Sequence, residues 1–582
     1  MSAAPIAVIG AGAAGLLAAL ELATRGVAVD VYGPAGRGPV ASAGRWLAAA
    51  PLDGAAVDRA EEDAHVADAV AASGGTADAA VLRALVRAAP ALADALIRRG
   101  VPFHRREDGR VAREGGAGHH AARLIHADAA TGFHVVHALD RALDHAIAGG
   151  APAHRRAGWE VVAIATDEAG AAVGVVAQDL RTMEIRARPA SAVIVASGGF
   201  AGAWAGSSAR LDAVGTGIAA AVRAGAVLAD PDRIDVHPIA VPRPDKPVPL
   251  PDVLRALGGR VWVPSDPADR RRPRDIPTGE RVVVLDGGSA AVGRADAARA
   301  LVGALAAGRG VPGASGAPPH AWLDVTHLGT RALAARLGRL AVEVERVTGL
   351  ALGEAPVPVV PVVHATLGGL QVAIDLDPSG DPRADSPGHF ATSVPGLFAV
   401  GGAVASPSGA ARLTGHRLLA GLFGARLAAG AAAVWATSGG VRAADAAEAL
   451  LARRAGDEVV AYDRLVARAE GAGETAEEVL RALGEALDTH AGLSPSAPRD
   501  LGDTLDALGS RAGRARCSDG APRVNRGAPA IRRLDAALLL ARAVAASAQA
   551  RAAGAASVAV RLVNGQLVAT GRDPAADAVE AR

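Results

Sequence analysis

The chain carries one cysteine, Cys517, in 582 residues. That excludes a disulfide within the chain and any cluster held by its own cysteine thiolates. Aromatic residues amount to 2 %, so Leu, Val and Ala must fill the interior. An excess of charge is missing too: 61 Lys and Arg stand against 60 Asp and Glu, for a net charge of +1. Nothing in that balance points to nucleic acid or to an anionic membrane surface. The apolar N-terminus lacks a basic stretch and is interrupted by glycines, so it does not fit a signal peptide. No unbroken run of about 20 strongly apolar residues stands out as a membrane span. The Ala- and Leu-rich stretch from Leu418 to Trp435 is expected to be buried, and the cytoplasm is the expected compartment. A chain of 582 residues exceeds a single core and predicts two to four domains.

What is present is a glycine turn. Ile6 to Ile9 has the composition of a short buried strand, and Gly10-Ala11-Gly12-Ala13-Ala14-Gly15 follows. Gly10 permits the tight turn, Gly12 lets a pyrophosphate approach the backbone, and Gly15 lets the next helix lie close to the sheet. Together with Ala13 and Ala14, these residues form a helix N-terminus suited to phosphate. A second strand, Val27 to Tyr32, completes a βαβ unit of the expected length of about thirty residues.

Further along, 53–98 predicts helices, 102–126 a polar loop and 133–148 an amphipathic helix. Strands are expected at 159–165, 172–178 and 192–196, the last ending at Ser197-Gly198-Gly199, with a helix over 215–225. From about Asp230 proline and arginine become frequent, and this block predicts an insertion. Its expected parts are strands at 281–285 and 322–325 flanking a helix at 295–307, with a solvated arginine-rich loop at 270–274. Strand-like sequence returns at 357–363 and again at 396–400, ending at Gly401-Gly402, and a helix follows from Leu413. The remainder is helical from about Thr437, with a hairpin-like end at 558–569.

Several segments, in order, resemble the flavoprotein family of succinate dehydrogenase, fumarate reductase and L-aspartate oxidase. The resemblance covers most of residues 5–430. It looks closest to L-aspartate oxidase at Arg113-Glu114-Gly115-Gly116, Arg123-Leu124-Ile125-His126-Ala127 and Ala130-Thr131-Gly132. It continues through Gly217-Ile218, Arg223 to Ala226, His237-Pro238, His364-Ala365-Thr366-Leu367-Gly368-Gly369 and Gly409-Ala410-Ala411-Arg412-Leu413.

This resemblance implies an α/β fold. A Rossmann-like FAD-binding domain (1–229 and 353–436) would carry an inserted α+β capping domain (230–352), with a helical C-terminal domain (437–582). FAD is the implied cofactor, and no metal is implied. Relatives that hold FAD covalently use a histidine after the second strand, and none occurs from Gly33 to Asp53. Besides the glycine turn, the resemblance places Ser42, Gly44, Arg45, Ser197, Gly198, Gly199, Thr216, Gly402, Arg417 and Leu418 at the flavin. It also implies a dicarboxylate or amino-acid substrate. Arg294 would be the proton donor or acceptor, in preference to Arg274, and Arg412 the carboxylate clamp. His237 and His364 would donate hydrogen bonds, with Asp252 the one acid nearby.

The chain departs from the family at several of these points. The Thr-Glu before RGEG has no threonine counterpart, and Asp252 is the only acid in its region. The Gly-Glu after the late strand is Gly401-Gly402, Asn-Ser-Leu-Leu is His416-Arg417-Leu418-Leu419, and paired glycines near the flavin ring are Ala43-Gly44. The expected activity is oxidation of L-aspartate or a related acid to the imino acid, with oxygen or fumarate as acceptor. One alternative is a succinate dehydrogenase or fumarate reductase subunit with an iron–sulfur partner. The other is a flavin-binding homologue without dicarboxylate turnover.

Overall fold

Three of the four residues in Ile6–Ile9 are β-branched, which suits a pleated strand, and all four are buried. The computed structural model describes residues 4–34, 44–49, 58–243, 245–288, 292–313, 318–438, 444–470, 473–493, 498–521 and 523–571. Ile6–Ile9 sits at the centre of a five-stranded sheet, paired in parallel with Val29–Gly33 on one side and Ala192–Val195 on the other. Leu397–Ala399 extends the sheet beyond Ala192–Val195, and Ala153–Ala157 beyond Val29–Gly33. Ile6 and Val8 face one apolar core, Ala7 and Ile9 the other, as a parallel sheet covered on both faces requires.

Helix Ala13–Thr24 packs on this sheet through Leu16, Leu20 and Leu22, against helix His416–Thr437. The latter is, among the described residues, the one helix long and apolar enough to span a membrane. It has Leu419, Leu422 and Ala425 fully within the core, in keeping with the expectation for 418–435.

The insertion leaves and returns through two paired strands. Ile234–Val241 runs antiparallel to Val357–Thr366, and a six-stranded sheet is built outward from that pair through Ala321–Asp324, Arg260–Pro264 and Arg281–Leu285. The outgoing strand is absent from the sequence expectation. Pro238 lies within it, and two register shifts, between Asp235 and Val236 and between His237 and Ala240, break the alternation that marks a strand. Among other strands that went unread are Ala153–Ala157, Ile185–Pro189 and Arg260–Pro264, and residues 330–348 form two short helices.

The C-terminal hairpin Val558–Val563 and Gln566–Gly571 turns at Asn564-Gly565, both with positive φ, as a two-residue primed turn demands. Its first strand pairs with Leu228–Ala229, so this hairpin reaches back to the root of the insertion.

Candidate active site

Three strands of the parallel sheet end in glycines on one edge: Ile6–Ile9 at Gly10, Ala192–Val195 at Ser197-Gly198-Gly199, and Leu397–Ala399 at Gly401-Gly402. Such a crevice at the carboxyl ends of parallel strands is where open α/β sheets take ligands. Gly10 adopts φ 118°, out of reach of an ordinary residue, and a Cβ on Gly15 would lie 1.9 Å from the Gly10 carbonyl oxygen. A Cβ on Gly12 would instead meet nothing within 4 Å, so its bare backbone faces open space. Helix Ala13–Thr24 starts there with no side-chain cap. Its first-turn N–H groups and the glycine cradle fit a dinucleotide diphosphate. Gly402 stands beside Gly198, and Gly217, which follows Thr216 at its helix start, lies against Ser197. Ser42 lies outside the described residues.

A cavity of about 50 Å³ opens where this crevice meets the inserted sheet. Gly44, Arg45, Trp46, His237, Asp252, Arg294, His364, Arg412, Thr414, Arg417 and Leu418 line it. Arg294 begins helix Arg294–Ala306 of the insertion, whereas Arg412 precedes helix His416–Thr437. The two guanidiniums meet at Asp235 on the outgoing strand. Arg412 Nη2 and Arg294 Nη1 both donate to its Oδ2, the latter at 3.3 Å. Arg294 Nη2 also lies 3.4 Å from Thr414 Oγ1, and its Nε has no partner. Arg274, the competing candidate, is exposed beside Asp275.

His237 and His364 stand on the paired strands with ring centroids 5.3 Å apart. His237 Nδ1 accepts the Ile239 N–H at 3.3 Å, which leaves Nε2 to carry the hydrogen. Ser208 Oγ lies 2.8 Å from His364 Nδ1. Burial first, then the nearby guanidiniums, lowers His237 to about 3; burial and His237 hold His364 well below its ordinary value. Both rings are neutral donors near pH 7. Burial alone would raise Asp235 and Asp252, but Arg412, Arg294 and Arg417 outweigh it at Asp235, and Arg255 does so at Asp252. Both are carboxylates. Burial lowers Arg412 and Arg45 to about 10, so both remain charged.

Sequence reasoning brought Arg294, Arg412, His237, His364 and Asp252 forward, and they converge here. It missed Asp235, Arg255 and Trp46. Arg255 Nε pairs with Asp252 Oδ1 at 2.7 Å, three residues apart on one turn, a spacing that could have disclosed it. Trp46 presents an indole Nε1 without a partner. A histidine cluster also went unread: His416 Nε2 lies 2.9 Å from His65 Nε2, and His119 Nε2 donates to the Thr414 carbonyl at 3.0 Å. Glu114 of the Arg-Glu-Gly-Gly run does not line the cavity; Arg336 Nη2 holds it at 2.6 Å and His126 Nε2 at 3.2 Å.

Comparison with known proteins agrees with this geometry. The FAD binding domain family matches residues 6–418. The chain is 30 % identical over 448 residues to the succinate dehydrogenase flavoprotein subunit of Bacillus subtilis, covering 74 % of this chain and 69 % of that one. It is 32 % identical over 455 residues to L-aspartate oxidase of Caulobacter vibrioides, covering 74 % and 77 %. In fold it resembles a mutant of E. coli quinol fumarate reductase, with a TM-score of 0.82, 24 % identity and coverage of 98 % of this chain and 96 % of that one.

Proposed function

The chain belongs to the FAD-binding family that includes succinate dehydrogenase and fumarate reductase flavoproteins and L-aspartate oxidase, and from that premise we propose that it oxidises L-aspartate or a related four-carbon dicarboxylate. It is an FAD-dependent oxidoreductase. The observation that carries the proposal is the meeting of Arg294 and Arg412 in one cavity with His237 and His364, although the two arginines come from distant parts of the chain.

Bound FAD supplies a two-electron acceptor able to take a hydride from a substrate carbon. Gly10, Gly12, Ala13, Ala14 and Gly15 would hold its diphosphate, and Ser197, Gly198, Gly199, Thr216 and Gly402 the adjoining groups. Gly44, Arg45, Arg417 and Leu418 would border the flavin ring. The substrate side is the chain's own work. Arg412 binds one carboxylate through its planar fork. His237 and His364, neutral and fixed by their partners, donate hydrogen bonds to the carboxylates. Arg294, only 11 % exposed, is positioned to take or deliver the substrate proton in a site that excludes most water. Behind it Asp252 has a buried, unpartnered Oδ2 and is the next proton acceptor, kept ionised by Arg255. The inserted block 230–352 acts as the cap over this site.

A second reading, succinate oxidation or fumarate reduction with an iron–sulfur partner, is favoured by one observation. Asp252 is the sole acid among the lining residues, and Arg255 at its Oδ1 already balances its charge, so no carboxylate of unbalanced charge awaits an α-ammonium group. Anaerobic mixing with L-aspartate or succinate, followed by the visible flavin band, tests both. Bleaching by L-aspartate supports the first reading and bleaching by succinate alone the second; no bleaching by any dicarboxylate overturns both.

A further inference from the structure

Four guanidiniums line the cavity, those of Arg45, Arg294, Arg412 and Arg417. Like charges that share one small cavity repel. Among the described residues Arg45 and Arg417 have no carboxylate within ion-pair distance, while Arg294 and Arg412 share one, Asp235. Asp235 does not itself line the cavity. It stands behind the two arginines on the outgoing strand, opposite Ala365, the neighbour of His364, and is 4 % exposed. One carboxylate oxygen, Oδ2, receives both arginines.

We propose that Asp235 is a positioning and specificity-determining residue: it holds Arg294 and Arg412 in register and cancels one positive charge, so that the site binds a dianion without trapping it. The inference rests on the dicarboxylate reading above.

The charges support this. Asp252 and Arg255 cancel as a pair. The four lining arginines less Asp235 leave an excess of three positive charges. A dicarboxylate brings two negative charges, and bound flavin, when reduced, would add a third. Without Asp235 the site would hold a fourth positive charge, unmatched in a buried place where such charge is costly. A dianion would relieve that excess and therefore bind harder and leave more slowly. The burial of Asp235 is thus offset by the guanidiniums of Arg412, Arg294 and Arg417, which pull its carboxyl below the ordinary range, and each arginine keeps N–H groups for the ligand.

Asp235→Asn tests the proposal, since it keeps the shape and an acceptor oxygen while removing the charge. Malonate is the dianionic probe and pyruvate the monoanionic one, titrated into the flavin-loaded protein by calorimetry. In D235N malonate is expected to bind about tenfold tighter, a gain of about 1.4 kcal/mol, with pyruvate changed less. KM and kcat for the oxidised dicarboxylate are expected to fall together as product release slows. The flavin midpoint potential is expected to move to a more positive value, a readout that loose packing alone would not push in that direction. Asp235→Glu, which keeps the charge, is expected to retain the wild-type potential and the malonate-to-pyruvate ratio. It decides the question should D235N fail to fold: a D235E protein that has lost either property overturns the proposal. So does a folded D235N protein with unchanged or weaker malonate binding and an unmoved potential. Wild-type protein that binds no malonate overturns the dicarboxylate reading instead, and the potential of D235N still decides the role of Asp235.

Discussion

Arg412 donates to a carboxylate 177 positions away in the chain, and it is the side chain on which substrate binding is expected to depend most. Arg412→Lys keeps the charge but loses the planar fork; steady-state kinetics should show kcat/KM lower by roughly two orders of magnitude, about 3 kcal/mol of lost transition-state binding. Arg417 is half-buried and lacks a carboxylate partner among the described residues, so its charge would be available to a reduced flavin at the proposed site. Arg417→Ala should lower the flavin midpoint potential, measured by dye equilibration, and an unchanged potential would reject that role. The buried histidines set a pH limit. Burial lowers His237 and His416 to about 3, against an ordinary 6.5. Between those values the unfolded chain binds more protons than the folded one, so stability rises with pH across the window. It is lost as pH falls below about 6.5, at up to about 1.4 kcal/mol per unit for each ring. Urea midpoints at pH 7, 6 and 5 should decline in step. Arg412 was legible because it stands in a local motif. Asp235 was not: nothing two residues before His237 announces partners as far off as positions 294 and 412.

At the scale of elements, the glycine turn makes two contrasting forecasts. Gly15→Ala drives a methyl into the Gly10 carbonyl, 1.9 Å from its ideal place. The strand and helix must separate, at a cost of about 1–3 kcal/mol for overpacking, and thermal melting should report it. Gly12→Ala meets no protein atom within 4 Å and should melt as the wild type does, yet purify with little yellow flavin because the methyl sits where the diphosphate approaches. The βαβ unit was legible because hydrophobic run, glycines and second strand all lie within about thirty residues. The outgoing strand was hidden because its proline and two bulges break the pattern, and its partner, Val357–Thr366, lies more than a hundred residues on. Its pairing is a tertiary fact.

At the scale of the whole molecule, the hairpin over 558–571 is fastened to the root of the insertion. Asp230, held at φ 47°, accepts from Arg551 Nη2 at 2.8 Å, Ser557 Oγ at 3.0 Å and the Val558 N–H at 2.9 Å. Arg551 Nε also reaches Asp232 at 2.7 Å. Arg551→Ala strips a partly exposed charge from two carboxylates and should lower stability by about 1–3 kcal/mol, read from denaturant midpoints, with the flavin still bound. The hairpin itself was legible as a hairpin-like end at 558–569, but not the strand it would join.

The chain enters and leaves the insertion along one two-stranded ribbon, Ile234–Val241 with Val357–Thr366, while the Arg336–Glu114 pair and a core shared with Trp46, Ala48 and Leu124 also hold it to the rest of the protein. Were those contacts to part, the ribbon would serve as the pivot. Both imidazoles, His237 and His364, are mounted on the pivot itself, while Arg294 rides farther out on the swinging arm. Admitting a substrate by tilting that arm would draw the Arg294 guanidinium away and leave the imidazoles nearly still, so the jaw that would open is the one that carries the proposed proton donor.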